Sequence, residues 1–310
     1  MSRIYEALQR ADLERKAALG SGVPQDIPQF SEPAVAPDAE ELPPVKANVV
    51  IENIAQYPWQ PSIASFPTLA DRGVGVEQFR SLRSRVYQAR YEAPLKTILV
   101  SSGMPSEGKS FVTANLAMSL ARNSVNNILL IDADLRRPSL HKLLGAPSSP
   151  GLSDYLAGNV ELNAIMQRDQ GSENPSNASQ RSISNLTFIP AGNCDDDSSE
   201  LVANHRINEL VATLSPCFDW ILIDSPPVLA VTDAVELARA ADAVLLVARG
   251  GKTPYNVAQR TQATFSNSRI LGFVLNDIKD APRRGYYYYY YGAPEAGAPP
   301  KGRKDSGHKG

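Results

Sequence analysis

Cysteine and histidine are scarce in this chain of 310 residues, and their scarcity excludes several classes of protein. The two cysteines, Cys194 and Cys217, form no CxxC pair, which excludes a disulfide scaffold and a cysteine-type zinc site. The three histidines, His141, His205 and His308, are too scattered to suggest a metal cluster. This cysteine usage fits a reducing cytoplasm, which is the location that we expect.

Long apolar runs and a strong net charge are also lacking. No apolar run reaches the roughly 18 residues of a membrane-spanning helix. The opening residues, MSRIYEAL, lack the apolar core of a secretory signal, so we expect no cleaved leader. The net charge is −2, from 31 Lys and Arg against 33 Asp and Glu. That balance gives no overall signature of nucleic-acid binding, and we expect no nucleic-acid partner.

Proline, acidic residues and tyrosine are distributed unevenly, and they divide the chain into four segments. A helical stripe predicts a short helix over 1–20, which docks either on the chain's own core or on a partner. Residues 21–72 hold nine prolines and seven acidic against two basic residues, which is typical of an extended or disordered linker. We predict a folded domain over 73–278. Residues 279–310 form a tyrosine-rich tail with seven basic against three acidic residues, a net charge of +4.

Six continuous apolar segments alternate with helical patterns inside the predicted domain. They lie at 96–102, 127–132, 186–190, 220–224, 243–248 and 270–275. Such strands, joined by helices, are typical of a parallel sheet covered on both faces. We therefore predict an α/β fold with a doubly wound, mostly parallel sheet. Residues 167–185 are predicted to be a polar loop, and Thr253 is predicted to cap the helix after the fifth strand.

A phosphate-binding signature follows the first strand. Residues 103–110, GMPSEGKS, match G-x4-G-K-[ST] between a strand and a helix, which predicts a P-loop NTPase. Gly108 lets the backbone approach phosphate oxygens, Lys109 bridges the β- and γ-phosphates, and the Ser110 hydroxyl can bind Mg²⁺. The predicted ATP-binding residues are Gly103, Ser106, Glu107, Gly108, Lys109, Ser110 and Phe111. A glycine turn without phosphate binding is the alternative, and the strand–loop–helix context disfavours it.

Three aspartates stand where apolar strands end. Asp132 and Asp134 follow the second strand, and Asp224 ends the fourth. Ligands of doubly wound sheets bind at this edge. We expect Ser110, Asp132 and Asp224 to hold Mg²⁺, and Lys109, Asp132 and Asp134 to be catalytic. The sequence does not divide base and metal-ordering roles between Asp132 and Asp134, and a turn or helix cap is the alternative for each aspartate alone.

Half of the chain's tyrosines lie in one run. Six of twelve form the sequence Tyr286, Tyr287, Tyr288, Tyr289, Tyr290 and Tyr291, and we interpret them as phospho-acceptors. A phenol, with a pKa near 10, needs a base to accept its proton at neutral pH. Each phosphate adds about −1.5 to −2 charge, so six would outweigh the positive tail. The alternatives are an aromatic platform for nucleic acid and a β-prone adhesive segment.

Together these features resemble the bacterial tyrosine autokinases of capsule and exopolysaccharide export. The resemblance covers about 76–292 and rests on GMPSEGKS at 103–110, LLIDADLRRP at 129–138, GLSDYL at 151–156, PAG at 190–192 and DWILIDSPPVLAVTD at 219–233. It also includes Glu77, Arg80 and Arg83 and the tyrosine-rich tail. The opening SRIYEAL resembles the branch in which the kinase is a separate chain, similar to the exosortase-associated kinases.

The resemblance implies an ATP- and Mg²⁺-dependent kinase that phosphorylates its own tail in trans within a ring of subunits. It places Glu77, Arg80 and Arg83 at subunit contacts, although their spacing alone equally suits a solvated face with an ion pair. By similarity of position alone, the resemblance places Asn276 near the adenine. One departure concerns the P-loop: Ser106 replaces a glycine, which we expect to weaken the loop geometry at most. The related partition ATPases carry an extra lysine near the start of this loop, and Met104 stands at that position, which argues against a partition-type protein.

The resemblance also implies partners and a location. The activator would be a membrane protein that controls polysaccharide chain length, and a tyrosine phosphatase would reverse the reaction. The chain would then be cytoplasmic and peripheral at the inner face of the plasma membrane. Two alternatives remain open: a P-loop switch ATPase that transfers no phosphate to protein, and a nucleic-acid-binding module that uses the arginine- and tyrosine-rich tail.

Overall fold

A computed structural model of the chain describes residues 53–278 except 63, 71, 123–124, 172–182, 194–200 and 202–205. Several sequence predictions fall outside the described residues. These are the helix over 1–20, the linker up to residue 52, and the tail with its tyrosine run.

The described residues form eight strands and eight α-helices. The strands are β1 (Ala55–Tyr57), β2 (Thr97–Ser102), β3 (Ile128–Asp132), β4 (Gln167–Asp169), β5 (Leu186–Ile189), β6 (Trp220–Asp224), β7 (Ala243–Arg249) and β8 (Ile270–Asn276). The helices are α1 (Val74–Glu92), α2 (Lys109–Ala121), α3 (Leu140–Leu144), α4 (Leu152–Leu156), α5 (Leu162–Ile165), α6 (Arg206–Leu214), α7 (Asp233–Ala238) and α8 (Tyr255–Thr264). No helix in the described part of the chain is both long and apolar enough to cross a membrane.

One sheet contains all eight strands, in the order β1-β4-β5-β3-β6-β2-β7-β8. The six strands from β5 to β8 in this order are parallel, and they are the six predicted from the sequence. Strands β2, β3 and β6 are buried along their whole length, which explains their continuous apolar sequences. The predicted α/β fold with a mostly parallel sheet is confirmed.

Helices cover both faces of the sheet. On one face α1, α2 and α3 pack through residues such as Val86, Leu116 and Leu140. On the other face α4 to α7 pack through residues such as Leu210 and Leu237. Each large apolar side chain buried in this way contributes about 1.5–3 kcal/mol of transfer free energy. Because the central strands are parallel, their carboxyl ends meet at one edge, which holds the P-loop and the strand-end aspartates.

Two short strands at one side of the sheet and the start of the fold differ from the predictions. Strand β1 lies in the predicted linker and β4 lies in the predicted polar loop. Strand β4 is antiparallel to β5, and β1 pairs with β4. Trp59 and Phe66 are buried, and the Trp59 ring packs edge-to-face on Phe188 of β5 with centroids 6.1 Å apart. The predicted boundary at residue 73 is therefore wrong, because the prolines of this segment obscured its packing residues.

Candidate active site

The P-loop connects β2 to α2 and contains two residues with left-handed backbone. Gly108 has φ 91°, and a Cβ at this position would lie 2.0 Å from Asn276 Nδ2. At Gly103 a Cβ would lie 2.3 Å from Thr261 Oγ1. Ser106 has φ 64°, a conformation that favours glycine. The resemblance led us to expect a glycine at position 106. Ser106 occupies it with a backbone conformation that would suit glycine.

Side chains from the neighbouring strand ends fix the P-loop. Glu107 is buried, and its Oε2 accepts a hydrogen bond from Met104 N at 2.8 Å. Its Oε1 accepts a hydrogen bond from the Thr253 hydroxyl. Asn276 Nδ2 donates to the carbonyl oxygen of Glu107 at 3.0 Å. Glu107 thus turns its carboxylate into the loop, and Asn276 holds the loop against β8.

The predicted helix cap at Thr253 is wrong. Helix α8 begins at Tyr255 after Pro254, and no side chain caps it. The Thr253 hydroxyl instead accepts a hydrogen bond from Arg249 N at 2.8 Å while it donates to Glu107. Sequence reasoning missed this contact because it joins two loops that are far apart in the chain.

Lys109 lies at the centre of a buried charged network. Its Nζ is 2.7 Å from Asp134 Oδ2 and 3.6 Å from Asp224 Oδ2. Ser110 Oγ donates to Asp224 Oδ2 at 2.5 Å, and Thr113 Oγ1 donates to Asp224 Oδ1 at 3.2 Å. Thr113 was not predicted from the sequence. Its only signal is its position one helical turn after Lys109 on α2.

Asp132 supports the loop that follows β3. Its Oδ2 accepts hydrogen bonds from Ser139 N at 3.1 Å and Leu140 N at 3.0 Å, and its Oδ1 accepts one from Asp134 N at 3.3 Å. The residue is fully buried, and it lies opposite Asp224 in the register of the neighbouring strands β3 and β6. Asp132 therefore positions Asp134, which lines the neighbouring cavity.

Burial dominates the electrostatics of this network. It raises the pKa of Asp132 to about 7, with the charge of Asp224 acting in the same direction and the Leu140 N–H opposing it. Burial also raises the pKa of Asp224, against the opposing charge of Lys109. Burial alone would lower the pKa of Lys109, but Asp224 and Asp134 outweigh it and the pKa is raised. Lys109 therefore carries its full charge at neutral pH.

Two cavities flank the P-loop, and Phe111 lines both. The first has a volume of about 490 Å³ and is lined by Ser106, Lys109, Ser110, Asp134, Arg136, Arg137, Pro226, Pro227, Ala230 and Val231, among others. The second has a volume of about 450 Å³ and is lined by residues of α1 and β8 that include Leu82, Phe273 and Asn276. Both volumes lie within the roughly 300–1,000 Å³ of small-molecule sites.

The structure brings most of the predicted site residues together at one sheet edge. The P-loop residues, the three aspartates and Asn276 are neighbours there, whereas Glu77, Arg80 and Arg83 lie on α1. Arg80 Nη1 pairs with Glu77 Oε1 at 2.8 Å. Among the described residues, no group of three or more His, Cys, Asp or Glu side chains forms a metal site.

This loop, at the carboxyl edge of a mostly parallel sheet, defines a P-loop NTPase. The ParA family profile, described as NUBPL iron-transfer P-loop NTPase, matches residues 95–278. The chain belongs to this ParA-like family of P-loop NTPases. Within it, the chain belongs with the bacterial tyrosine-protein kinases. Tyrosine-protein kinase YwqD of Bacillus subtilis is 30% identical over 210 residues, which cover 67% of this chain and 83% of that protein.

Longer kinases and solved structures give the same result. Tyrosine-protein kinase ptk of Acinetobacter johnsonii is 33% identical over 208 residues, 66% of this chain and 27% of the relative. The chain thus spans about a quarter of the length of such relatives. The kinase domain of Escherichia coli tyrosine kinase ETK superposes with a TM-score of 0.60 at 31% identity, covering 71% of this chain and 80% of that one. The BceF tyrosine kinase domain gives 0.58 at 33% identity, covering 69% and 81%.

Proposed function

We propose that the chain is an ATP-dependent protein-tyrosine kinase that phosphorylates Tyr286–Tyr291 of its own tail, in trans between subunits. The observation that carries this proposal is the first cavity. Its lining places Asp134 beside the P-loop, where Asp134 pairs with Lys109. One wall is cationic and polar and suits phosphates. Pro226, Pro227, Ala230 and Val231 also line this cavity, and their apolar surface suits an aromatic ring.

ATP would bind with its phosphates on the P-loop and the N-terminus of α2. Ser110 and Asp224 would hold Mg²⁺, since their oxygens lie 2.5 Å apart and Mg²⁺ prefers oxygen donors. The ion, when bound, neutralises charge on the phosphates. Asp132 is a poorer candidate ligand because backbone N–H groups occupy both of its oxygens. The second cavity, with Phe111 and Asn276, would receive the adenine.

Phosphoryl transfer would follow from this placement. The phenol oxygen forms a bond to the γ-phosphorus, the bond to the β–γ bridging oxygen breaks, and ADP leaves with those electrons. The phenol proton passes to Asp134, which lines the cavity, while Asp132 holds the loop that carries Asp134. The incoming phosphates attract Lys109, which frees Asp134 from its ion pair.

The wider role that we propose is regulation of capsule or exopolysaccharide synthesis and export. In this role the chain works in the cytoplasm at the inner face of the plasma membrane, in a homo-oligomeric ring. A membrane protein that sets polysaccharide chain length activates it, and a tyrosine phosphatase resets it. The resemblance in the motifs and the kinase relatives support this role.

The intact mass of the full chain before and after incubation with ATP and Mg²⁺ tests the proposal. We expect mass steps of one phosphate each. Lys109→Met should abolish them because it removes the phosphate-bridging charge. Replacement of all six tail tyrosines by phenylalanine should abolish them while ATP is still bound. ATP hydrolysis without added mass would contradict the proposal and favour the switch ATPase.

A further inference from the structure

A small polar pocket lies away from the P-loop, between α1, α2 and the turn at Pro67–Leu69. Its volume is about 200 Å³, and it is lined by Thr68, Val76, Arg80, Arg83, Ser119 and Arg122. This volume is below the roughly 300–1,000 Å³ of sites for whole small molecules. We call it the arginine pocket. Its size suits one charged group of a larger ligand.

Backbone carbonyls hold two of its three arginines in place. Arg83 Nη1 donates to Ser119 O at 2.6 Å, and Arg122 Nη1 donates to Thr68 O at 2.7 Å. These partners are neutral, so they orient the guanidinium groups without cancelling their charge. In the part of the chain that the structure describes, no carboxylate lies within 4.0 Å of the Arg83 or Arg122 guanidinium, whereas Arg80 pairs with Glu77. Three positive charges against one negative charge leave the pocket with a net charge of +2.

The chemistry of the pocket selects a phosphate monoester. Guanidinium groups pair with phosphate through parallel hydrogen bonds, and a cluster of arginines is the usual recognition element for phosphorylated residues. A phosphate monoester carries about −1.5 to −2 charge near neutral pH, which matches the net charge of the pocket. A single carboxylate would leave part of the pocket charge unbalanced.

The chain itself contains a source of such groups within reach. Ile278 is the last described residue, and the tyrosine run begins eight residues later. Eight extended residues span up to about 28 Å. Residues of α1 line both the cavity beside β8 and the arginine pocket, so the two lie around one helix about 10–12 Å wide. The tail can therefore pass around α1 to the pocket.

We propose that the arginine pocket binds a phosphotyrosine of the chain's own tail. This source rests on the proposed kinase function. Phosphorylation controls binding because the unmodified tail carries +4 and is repelled, whereas a few phosphates reverse its sign. Since Arg80 and Arg83 are also the residues expected at subunit contacts, a docked phosphotyrosine would compete with association of subunits.

Calorimetric titration with O-phosphotyrosine tests the proposal without any phosphotransfer. The protein is the full chain with Tyr286–Tyr291 replaced by phenylalanine, so that its own tail cannot occupy the pocket. Mg²⁺ and ADP are present in excess to fill the P-loop. We expect one site per chain. Arg80→Gln should weaken binding at least tenfold, and Arg122→Gln should do the same.

Two controls separate charge, fold and pocket. Arg260→Gln removes the same charge from an exposed position on α8 and should leave binding unchanged. Arg80→Gln removes no backbone contact, so it remains informative if loss of the Arg122 hydrogen bonds to Thr68 and Ala70 unfolds the chain. ADP affinity of each variant confirms its fold.

Three outcomes would overturn the proposal. They are absence of saturable binding, binding that Arg80→Gln leaves intact, and equal affinity for inorganic phosphate and phosphotyrosine. The last would identify free phosphate as the ligand. Because the titration needs no kinase activity, failure of the mass experiment leaves its result valid, and a negative titration leaves the kinase assignment intact.

Discussion

Ser106 shows how a single residue can store strain in a binding loop. Its φ of 64° lies in the left-handed region, where a Cβ costs roughly 1–2 kcal/mol. Glycine removes this cost but loses about 0.4–1 kcal/mol through its greater freedom in the unfolded chain. We therefore predict that Ser106→Gly raises the free energy of unfolding by about 0.5–1 kcal/mol, measured by urea denaturation.

A matched variant tests whether the backbone is the cause. Ser106→Ala removes the hydroxyl and keeps the Cβ, so we expect it to bring no gain in stability. Equal gains in both variants would assign the effect to the hydroxyl and contradict the backbone explanation. ADP affinity of Ser106→Gly should not fall, because the P-loop keeps its conformation.

Asp132 should make the stability of the ligand-free protein depend on pH. Folding raises its pKa from 3.8 to about 7, so between these values the folded protein holds a proton that the unfolded chain has released. Rising pH therefore lowers stability across this window, by up to about 1.4 kcal/mol per pH unit. Asp132→Asn should lose stability at every pH, because its amide cannot accept all three N–H bonds, but its slope should be flatter. Urea unfolding at pH 5 and 7 measures both slopes, and parallel slopes would contradict this prediction.

The residues that could be predicted from sequence are those whose chemistry permits few alternatives. Phosphate binding requires the glycine, lysine and hydroxyl of the P-loop, and strand ends place Asp132 and Asp224. Thr113 and Thr253 could not be predicted. Threonine occurs in many settings, and each of these hydroxyls contacts a carboxylate more than 100 positions away in the chain.

At the scale of elements, a continuous apolar sequence decided which strands could be predicted. Strands β2, β3 and β6 are buried along their whole length, which explains their apolar runs. Strand β8 has such a run as well, although it lies at the sheet edge and is only partly buried. Strands β1 and β4 have only three residues each, AQY and QRD. Backbone pairing with the neighbouring strand holds them in the sheet, as between Gln56 and Arg168. Such pairing leaves no pattern of apolar and polar side chains from which it could be predicted.

The start of the folded domain was missed for a related reason. Nine prolines between residues 21 and 72 suggest an extended chain. Because this composition is an average over the whole segment, it does not distinguish the part that packs on the sheet from the rest. Two aromatic side chains, Trp59 and Phe66, carry the contrary signal, because both are buried against the sheet and its helices. In this segment the two large aromatic residues therefore indicate the packing that the proline content conceals.

At the scale of the whole molecule, Glu77, Arg80 and Arg83 on α1 are the residues that we expect where one chain meets the next. Glu77 and Arg80 pair with each other at 2.8 Å within one chain, and Arg83 donates to a backbone carbonyl of α2. An exposed pair of this spacing contributes only about 0.2–0.5 kcal/mol to its own helix. Its removal would therefore hardly alter a single chain, so its main effect should be on association.

Exchange of the two charges separates these roles. The double variant Glu77→Arg with Arg80→Glu keeps an i,i+3 ion pair, so its free energy of unfolding should stay within about 1 kcal/mol of the parent. Contacts with another subunit would meet inverted charges, so we expect dissociation to monomers in sedimentation velocity and at least tenfold slower tail phosphorylation. Sedimentation is measured on the full chain with Tyr286–Tyr291 replaced by phenylalanine, before ATP is added. No phosphotyrosine can then compete for Arg80. An unchanged oligomer would show that subunits do not meet through this face of α1.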